Sequence, residues 1–142
     1  MRPTADPSPG HLDLELARRL QRGLTAGGEE LFQLLHDPAP EVARSLLKNP
    51  ALTEEHLLVL LRRRDLPEEL LKAVYQRQGS RQSHRLLLAL AKNPATPAAI
   101  NLSILPLLHL FELLDLCTLP GTTPDQRFAA ERQIVTRLPT IP

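Results

Sequence analysis

The chain has 142 residues, 42% of them hydrophobic, and a formal net charge of +1. That length and apolar share suit one domain with a core of its own, and the near-neutral balance singles out neither nucleic acid nor a membrane surface. Aromatic residues make up only 3%, Trp is absent and Leu dominates, which argues against an all-β fold and for helices. Cys117 is the single cysteine, so no disulfide framework forms within the chain and a reducing compartment is expected. Met1 to Gly10 is polar and holds Pro3, Pro7 and Pro9, unlike a secretory signal. The longest apolar stretch, Ile100 to Leu116, is interrupted by Asn101, Pro106, His109, Glu112 and Asp115, unlike a membrane span. A soluble, cytoplasmic protein is expected.

In chain order, residues 1–10 read as a flexible tail and 11–142 as a single α-helical repeat domain. Apolar residues at helical spacing predict helices near 11–22, 28–36, 40–48, 53–64, 67–77, 82–92, 97–105, 107–116 and 124–138. Leu12, Leu16 and Leu20 form one such stripe, and Leu86, Leu87, Leu90 and Ala91 another. Fourteen prolines in a Leu-rich chain look contradictory until their positions are read. Proline is tolerated in a helix's first turn, where its missing N–H costs nothing. Thr96-Pro97 and Thr123-Pro124 each place a capping hydroxyl ahead of such a proline. Asp65-Leu66-Pro67-Glu68-Glu69 offers an acidic cap, a proline and then carboxylates, and Asp37-Pro38-Ala39-Pro40-Glu41 is similar. Thr53-Glu54-Glu55 opens a helix by the same logic without proline. Pro106 is expected to kink one long helix or to split it. Helices of about ten residues cannot bury a stripe alone, so they must pack pairwise through short connections.

Lys48-Asn49-Pro50-Ala51 recurs as Lys92-Asn93-Pro94-Ala95, each time after a Leu-rich helix and before a Thr. The lysine sits at the negative helix end, the proline forbids continuation, and the asparagine is pushed toward extended backbone. A weaker echo pairs Thr53-Glu54-Glu55 with Pro67-Glu68-Glu69. The clearest repeat units run over about 40–92 and 93–138.

The segments Asn49-Pro50-Ala51-Leu52-Thr53 and Asn93-Pro94-Ala95-Thr96-Pro97 resemble the corner of HEAT-like repeats and of the bacterial leucine-rich repeat variant. The resemblance covers about 40–138. It implies an all-α fold, a short α-solenoid of stacked antiparallel helical hairpins forming a HEAT-like superhelix. It also implies a non-catalytic scaffold that binds another protein. It carries over no catalytic residue. The repeat spacing is uneven, which departs from regular stacking. The leucine-rich repeat variant is associated with an iron–sulfur domain bearing clustered cysteines, and Cys117 alone makes no such cluster.

Candidate sites are few. No phosphate-binding glycine loop is present, since Gly27-Gly28 is followed by Glu29-Glu30. His109, Glu112 and Asp115 fall at i, i+3 and i+6, a spacing read here as polar groups on the rim of a helix, so no metal ligand and no cofactor is expected. Cys117 reads as a small core residue. Charge is uneven along the chain: residues 1–41 carry four basic and seven acidic groups, 42–92 ten and five, and 93–142 three and four. Arg62-Arg63-Arg64 is the sharpest cluster. With Arg77, Arg81 and Arg85 it forms the candidate partner-binding set, which stacked repeats would align into one stripe. The alternative function is nucleic-acid binding by this basic middle third, although only Tyr75 offers a stacking aromatic there. Ile100–Leu116 is expected to be the most buried helix pair, or else a surface for a partner or a second copy of the chain.

Overall fold

The computed structural model describes residues 9–78 and 83–138, with backbone alone for 9–13 and Gln78. Among these residues all regular structure is helical: α1 (Pro9–Thr25), α2 (Gly28–Leu34), α3 (Pro40–Leu46), α4 (Glu54–Leu60), α5 (Glu68–Gln78), α6 (His84–Lys92), α7 (Ala98–Ile104), α8 (Leu110–Thr118) and α9 (Pro124–Arg137). Every expected helix is present. Most of the tail expected over 1–10 lies outside the described residues, and α1 begins at Pro9. The largest shortfall is in α4, expected to reach 64 but ending at Leu60, after which Leu61 and Arg62 form a turn. Pro106 splits its segment: Leu105–Leu107 is a short 3-10 turn and α8 starts afresh at Leu110. No helix among the described residues is long and apolar enough to cross a membrane.

Helix starts follow the sequence logic in part. Thr123 accepts the Gln126 N–H at 3.1 Å, and the Gln126 side chain accepts the Thr123 N–H at 3.0 Å, with Pro124 in the first turn. At α4 the Thr53 N–H donates to Nδ1 of His56 at 2.9 Å, so a histidine stands where such boxes usually hold Glu or Gln. Three expected caps are absent, the first at α3, where Ala39 is the N-cap without a side-chain bond and Asp37 accepts the Ala39 N–H at 3.0 Å. Thr96 donates instead to the Leu90 carbonyl at 2.6 Å, which also accepts the Asn93 N–H at the end of α6. Asp65 does not cap α5, because the Arg63 guanidinium holds its carboxylate by two hydrogen bonds of 2.9 Å.

The chain divides into two compact units, up to His56 and from Leu57 onward. In the first, α1 and α2 both pack on α3. Leu31, Leu35, Val42, Ala43 and Leu46 are its buried core. Gly23 lets α1 lie close against α3: a Cβ there would lie 2.0 Å from Ser45 Oγ. In the second unit α8 packs mainly on α9, and α6 and α7 pack on each other, with α6 also against α8 and α7 against α9. Leu70, Leu71, Val74, Leu86, Leu90, Ile104 and Leu113 are buried there. The carbonyls released around Pro106 are collected by Arg137 of α9, whose guanidinium donates to Leu105, Pro106 and Leu108.

The two Lys-Asn-Pro-Ala copies have the same local structure. Asn49, 1% exposed, donates through Nδ2 to the carbonyls of Gly23 at 2.9 Å and Ala26 at 2.8 Å. Asn93, 3% exposed, donates in the same way to Leu61 at 2.9 Å and Arg63 at 2.8 Å. Each Oδ1 accepts the N–H two residues on, from Ala51 at 2.8 Å and Ala95 at 3.0 Å. Asn93 is extended (φ −83°, ψ 123°), as the following proline demands. Each amide therefore ties the corner it sits in to the carbonyls released at the end of an earlier helix, α1 for Asn49 and α4 for Asn93. In the second unit Gln126 extends the pattern by donating to the Asn93 carbonyl at 2.7 Å.

Candidate functional site

The arginines singled out in the sequence fall in different environments of the second unit. Arg62 is exposed on the turn after α4. Arg63 is largely buried and paired with Asp65, holding that carboxyl below its ordinary value by hydrogen bonding, against a smaller opposing effect of burial. Arg64 is exposed, yet its guanidinium lies over Gly121, where an added Cβ would come within 2.6 Å of Nη1. Gly121 has φ +87° and so meets both the turn and this close approach. Arg77 and Arg85 are exposed, in the last turn of α5 and the first turn of α6. Arg81 lies outside the described residues. The Arg62–Arg64 run is thus not three equivalent solvated cations: the Asn93 amide holds its backbone and Asp65 takes its middle side chain.

A tighter cluster forms elsewhere. His109 and Glu112 sit at the start of α8, as N-cap and third residue, and the Glu112 Oε1 accepts the His109 N–H at 2.7 Å. The third member is His84 at the start of α6, not Asp115, which is exposed. His84 Nε2 lies 2.7 Å from the same Glu112 oxygen. An ionised carboxylate only accepts, so His84 Nε2 carries the proton and donates. The imidazoles of His84 and His109 face each other with centroids 4.4 Å apart, and the Phe111 ring stacks 5.8 Å beyond His109 at 9°. One ligand atom from each of His84, His109 and Glu112 lies within 4.8 Å of the others.

The electrostatics favour an ionised Glu112. Burial acts to raise its carboxyl, but the His109 amide, the His84 hydrogen bond and electrostatic attraction to the two histidines outweigh burial and hold it below its ordinary value. Glu112 is 7% exposed, while His84 is half-buried and His109 exposed, so the cluster runs from core to solvent. Sequence spacing found two of its members and missed His84. A histidine directly after the helix-capping Ser83 carries no signal that it will face α8.

Cys117 is partly exposed, and its thiol is raised by burial and by Glu131, with Arg127 opposing. Such a thiol is a poor nucleophile.

The remaining feature is apolar. Ile100, Ile104, Leu105, Leu108, Leu113 and Leu116 are buried, as expected of this stretch, but Leu102 (65% exposed), Phe111 (64%), Leu107 and Leu114 are not. Phe128 and Val135 of α9 are exposed as well. Leu102 and Phe128 line one shallow groove with Leu105, Ala129, Arg132 and Gln133. Arg132 lies over the Phe128 ring at 5.9 Å.

Compared with protein-family models, with curated proteins and with solved structures, the chain matches none.

Proposed function

We propose that the chain is a HEAT-like α-helical repeat scaffold, a short solenoid of stacked hairpins, whose role is to bind another protein without catalysis of its own. The observation that carries this reading is the set of large apolar side chains left in solvent on α7, α8 and α9, with Leu102 and Phe128 sharing a groove. Contiguous exposed apolar surface is uncommon on monomeric soluble proteins and marks interaction sites. The aromatic Phe128 flanked by Arg132 has the composition of an interface anchor with a polar rim. The solenoid half of the reading is supported by the matched asparagine brackets at 49 and 93, each fastening a corner to an earlier helix end.

The test is a comparison of captured proteins. Wild type and a Leu102→Asp/Phe128→Asp variant, both verified as folded by circular dichroism, are immobilised and exposed to the same cell extract. A protein retained by wild type and lost from the variant supports the reading. Equal retention by both, or by neither, overturns it. A low-salt gel shift with DNA or RNA, weakening steeply as salt rises, would point instead to the arginine-rich middle third.

A further inference from the structure

We propose that His84, His109 and Glu112 form a binding site for one divalent transition-metal ion, with Zn²⁺ as the ion their chemistry matches. The inference stands apart from the scaffold reading, because it uses only the junction of α6 and α8.

Two imidazoles and one carboxylate, with no thiolate, suit zinc and its neighbours Co²⁺, Ni²⁺ and Cu²⁺; magnesium and calcium favour all-oxygen sites. Zinc bonds of about 2.0–2.2 Å in a tetrahedron place ligand atoms about 3.3 Å apart. The three ligand atoms already lie within 4.8 Å of one another, and the His84–Glu112 contact is 2.7 Å. The His84–Glu112 pair has to open slightly and the widest separation to close, shifts that side-chain rotation supplies. Both imidazoles that would move are partly or fully exposed, so they can turn without disturbing the core.

The carboxylate is the fixed point. Glu112 is buried, and its Oε1 accepts the His109 amide. Both hydrogen bonds to Glu112 use Oε1, so ligation through Oε2 keeps the cap of α8 in place. The capping bond then orients the carboxylate from outside the coordination sphere. His84 ligates through the Nε2 that now donates to Glu112. Its proton moves to Nδ1, the ring stays neutral, and the hydrogen bond gives way to a bond to the ion. Two helix N-termini beside the cluster oppose a cation, but that effect is short-ranged and modest against three direct bonds and a buried negative charge. With three ligands from the chain, a fourth position faces solvent and takes water.

The ring contacts give a second reason. His109 is held between the His84 ring at 4.4 Å and the Phe111 ring at 5.8 Å, so an exposed histidine is kept beside the carboxylate. A helix cap accounts for Glu112 and His109, but it does not need the His84 imidazole at the carboxylate oxygen.

The test uses the full chain, free of any histidine tag and stripped with a chelator. Co²⁺ is titrated by visible absorbance, and Zn²⁺ by calorimetry and by competition with a chromogenic chelator. One equivalent is expected to saturate the protein, with the d–d absorption of tetrahedral cobalt and a melting temperature raised by Zn²⁺. His84→Ala/His109→Ala and Glu112→Gln are each expected to weaken Zn²⁺ binding at least tenfold and to abolish the thermal shift. Gln at 112 can still accept the His109 N–H, so that variant keeps the cap while losing the anionic ligand. His36→Ala, at an exposed histidine outside the cluster, is expected to bind as wild type does. Absence of saturable Zn²⁺ binding, or equal binding by wild type and both cluster variants, overturns the proposal. If the double variant fails to fold, His109→Ala decides in its place, because that ring is exposed.

Discussion

Three buried asparagines separate what a side-chain amide can do for this chain. Asn49 and Asn93 each make three hydrogen bonds, two of them to carbonyls at the end of an earlier helix. Asn101, 5% exposed, makes one long contact of 3.5 Å to Thr96, and its Oδ1 has no partner among the described residues. Removing a side chain that satisfies buried carbonyls leaves them orphaned, at about 1–3 kcal/mol for each group. Asn49→Ala and Asn93→Ala are therefore expected to cost about 2–3 kcal/mol each, lowering the melting temperature by about 5–10 °C. Asn101→Ala removes a poorly satisfied group and is expected to cost less than about 1 kcal/mol. Thermal denaturation followed at 222 nm ranks the three; an Asn101 variant as damaging as the other two would contradict the bracket account. The sequence marked positions 49 and 93 through their shared tetrapeptide, but nothing in it distinguished the recipients of their hydrogen bonds.

At the scale of elements, the contact of α1 with α3 depends on an absent side chain. Alanine is normally the better residue inside a helix, by about 1 kcal/mol over glycine. At Gly23 the opposing effect is larger, because a Cβ would meet Ser45 Oγ at 2.0 Å, Ser45 Cβ at 3.2 Å and the Val42 carbonyl at 3.4 Å. The Ser45 hydroxyl is also committed, donating to Val42 O at 2.8 Å. Gly23→Ala is thus expected to destabilise by about 1–3 kcal/mol, the usual range for overpacking. Ser45→Ala removes the clashing oxygen. The double variant is expected to recover much of the loss, and a double-mutant cycle in urea measures the coupling. Additive effects of the two substitutions would show that the close approach is not what fixes this pair. Gly23 falls just past the helix expected over 11–22, yet it is an interior residue of α1, which runs on to Thr25. Its smallness, more than its freedom of φ, is what the packing uses.

For the molecule as a whole, the apolar surface of α7 to α9 is the feature with consequences beyond the chain. Leu102, Phe111, Phe128 and Val135 are each at least 60% exposed. If this surface also meets its own copy, the weight-average mass in light scattering rises with concentration across the micromolar range. Phe128→Asp is then expected to hold the mass at the monomer value while leaving the circular dichroism spectrum unchanged. A wild-type mass that stays monomeric throughout would exclude the second copy as occupant and leave a different protein as the partner sought. Ile100–Leu116 shows why sequence reading left this open. Hydrophobic content alone predicts burial, but α7, α8 and the turn between them bury only one side, at Ile104, Leu108 and Leu113, and leave Leu102, Leu107 and Leu114 outside.

What the sequence determined by itself were the features whose causes span about one helical turn. The excess of Leu and the lack of aromatics set an all-helical chain, and caps and prolines set where helices start, as at Thr123-Pro124. The proline after Asn93 set that residue's extended backbone. These effects act between residues up to four apart, so they can be read along the chain. Only the tertiary structure decided which carbonyls receive the Asn49 and Asn93 amides, 23 to 32 residues away. Only it placed His84 against Glu112, 28 residues on, and turned Thr96 and Asp65 from expected caps to other partners. The reason is common to all of these. A buried polar group must find a partner, but which one it finds depends on which helix ends packing brings alongside, and packing is set by apolar burial that has no fixed sequence spacing.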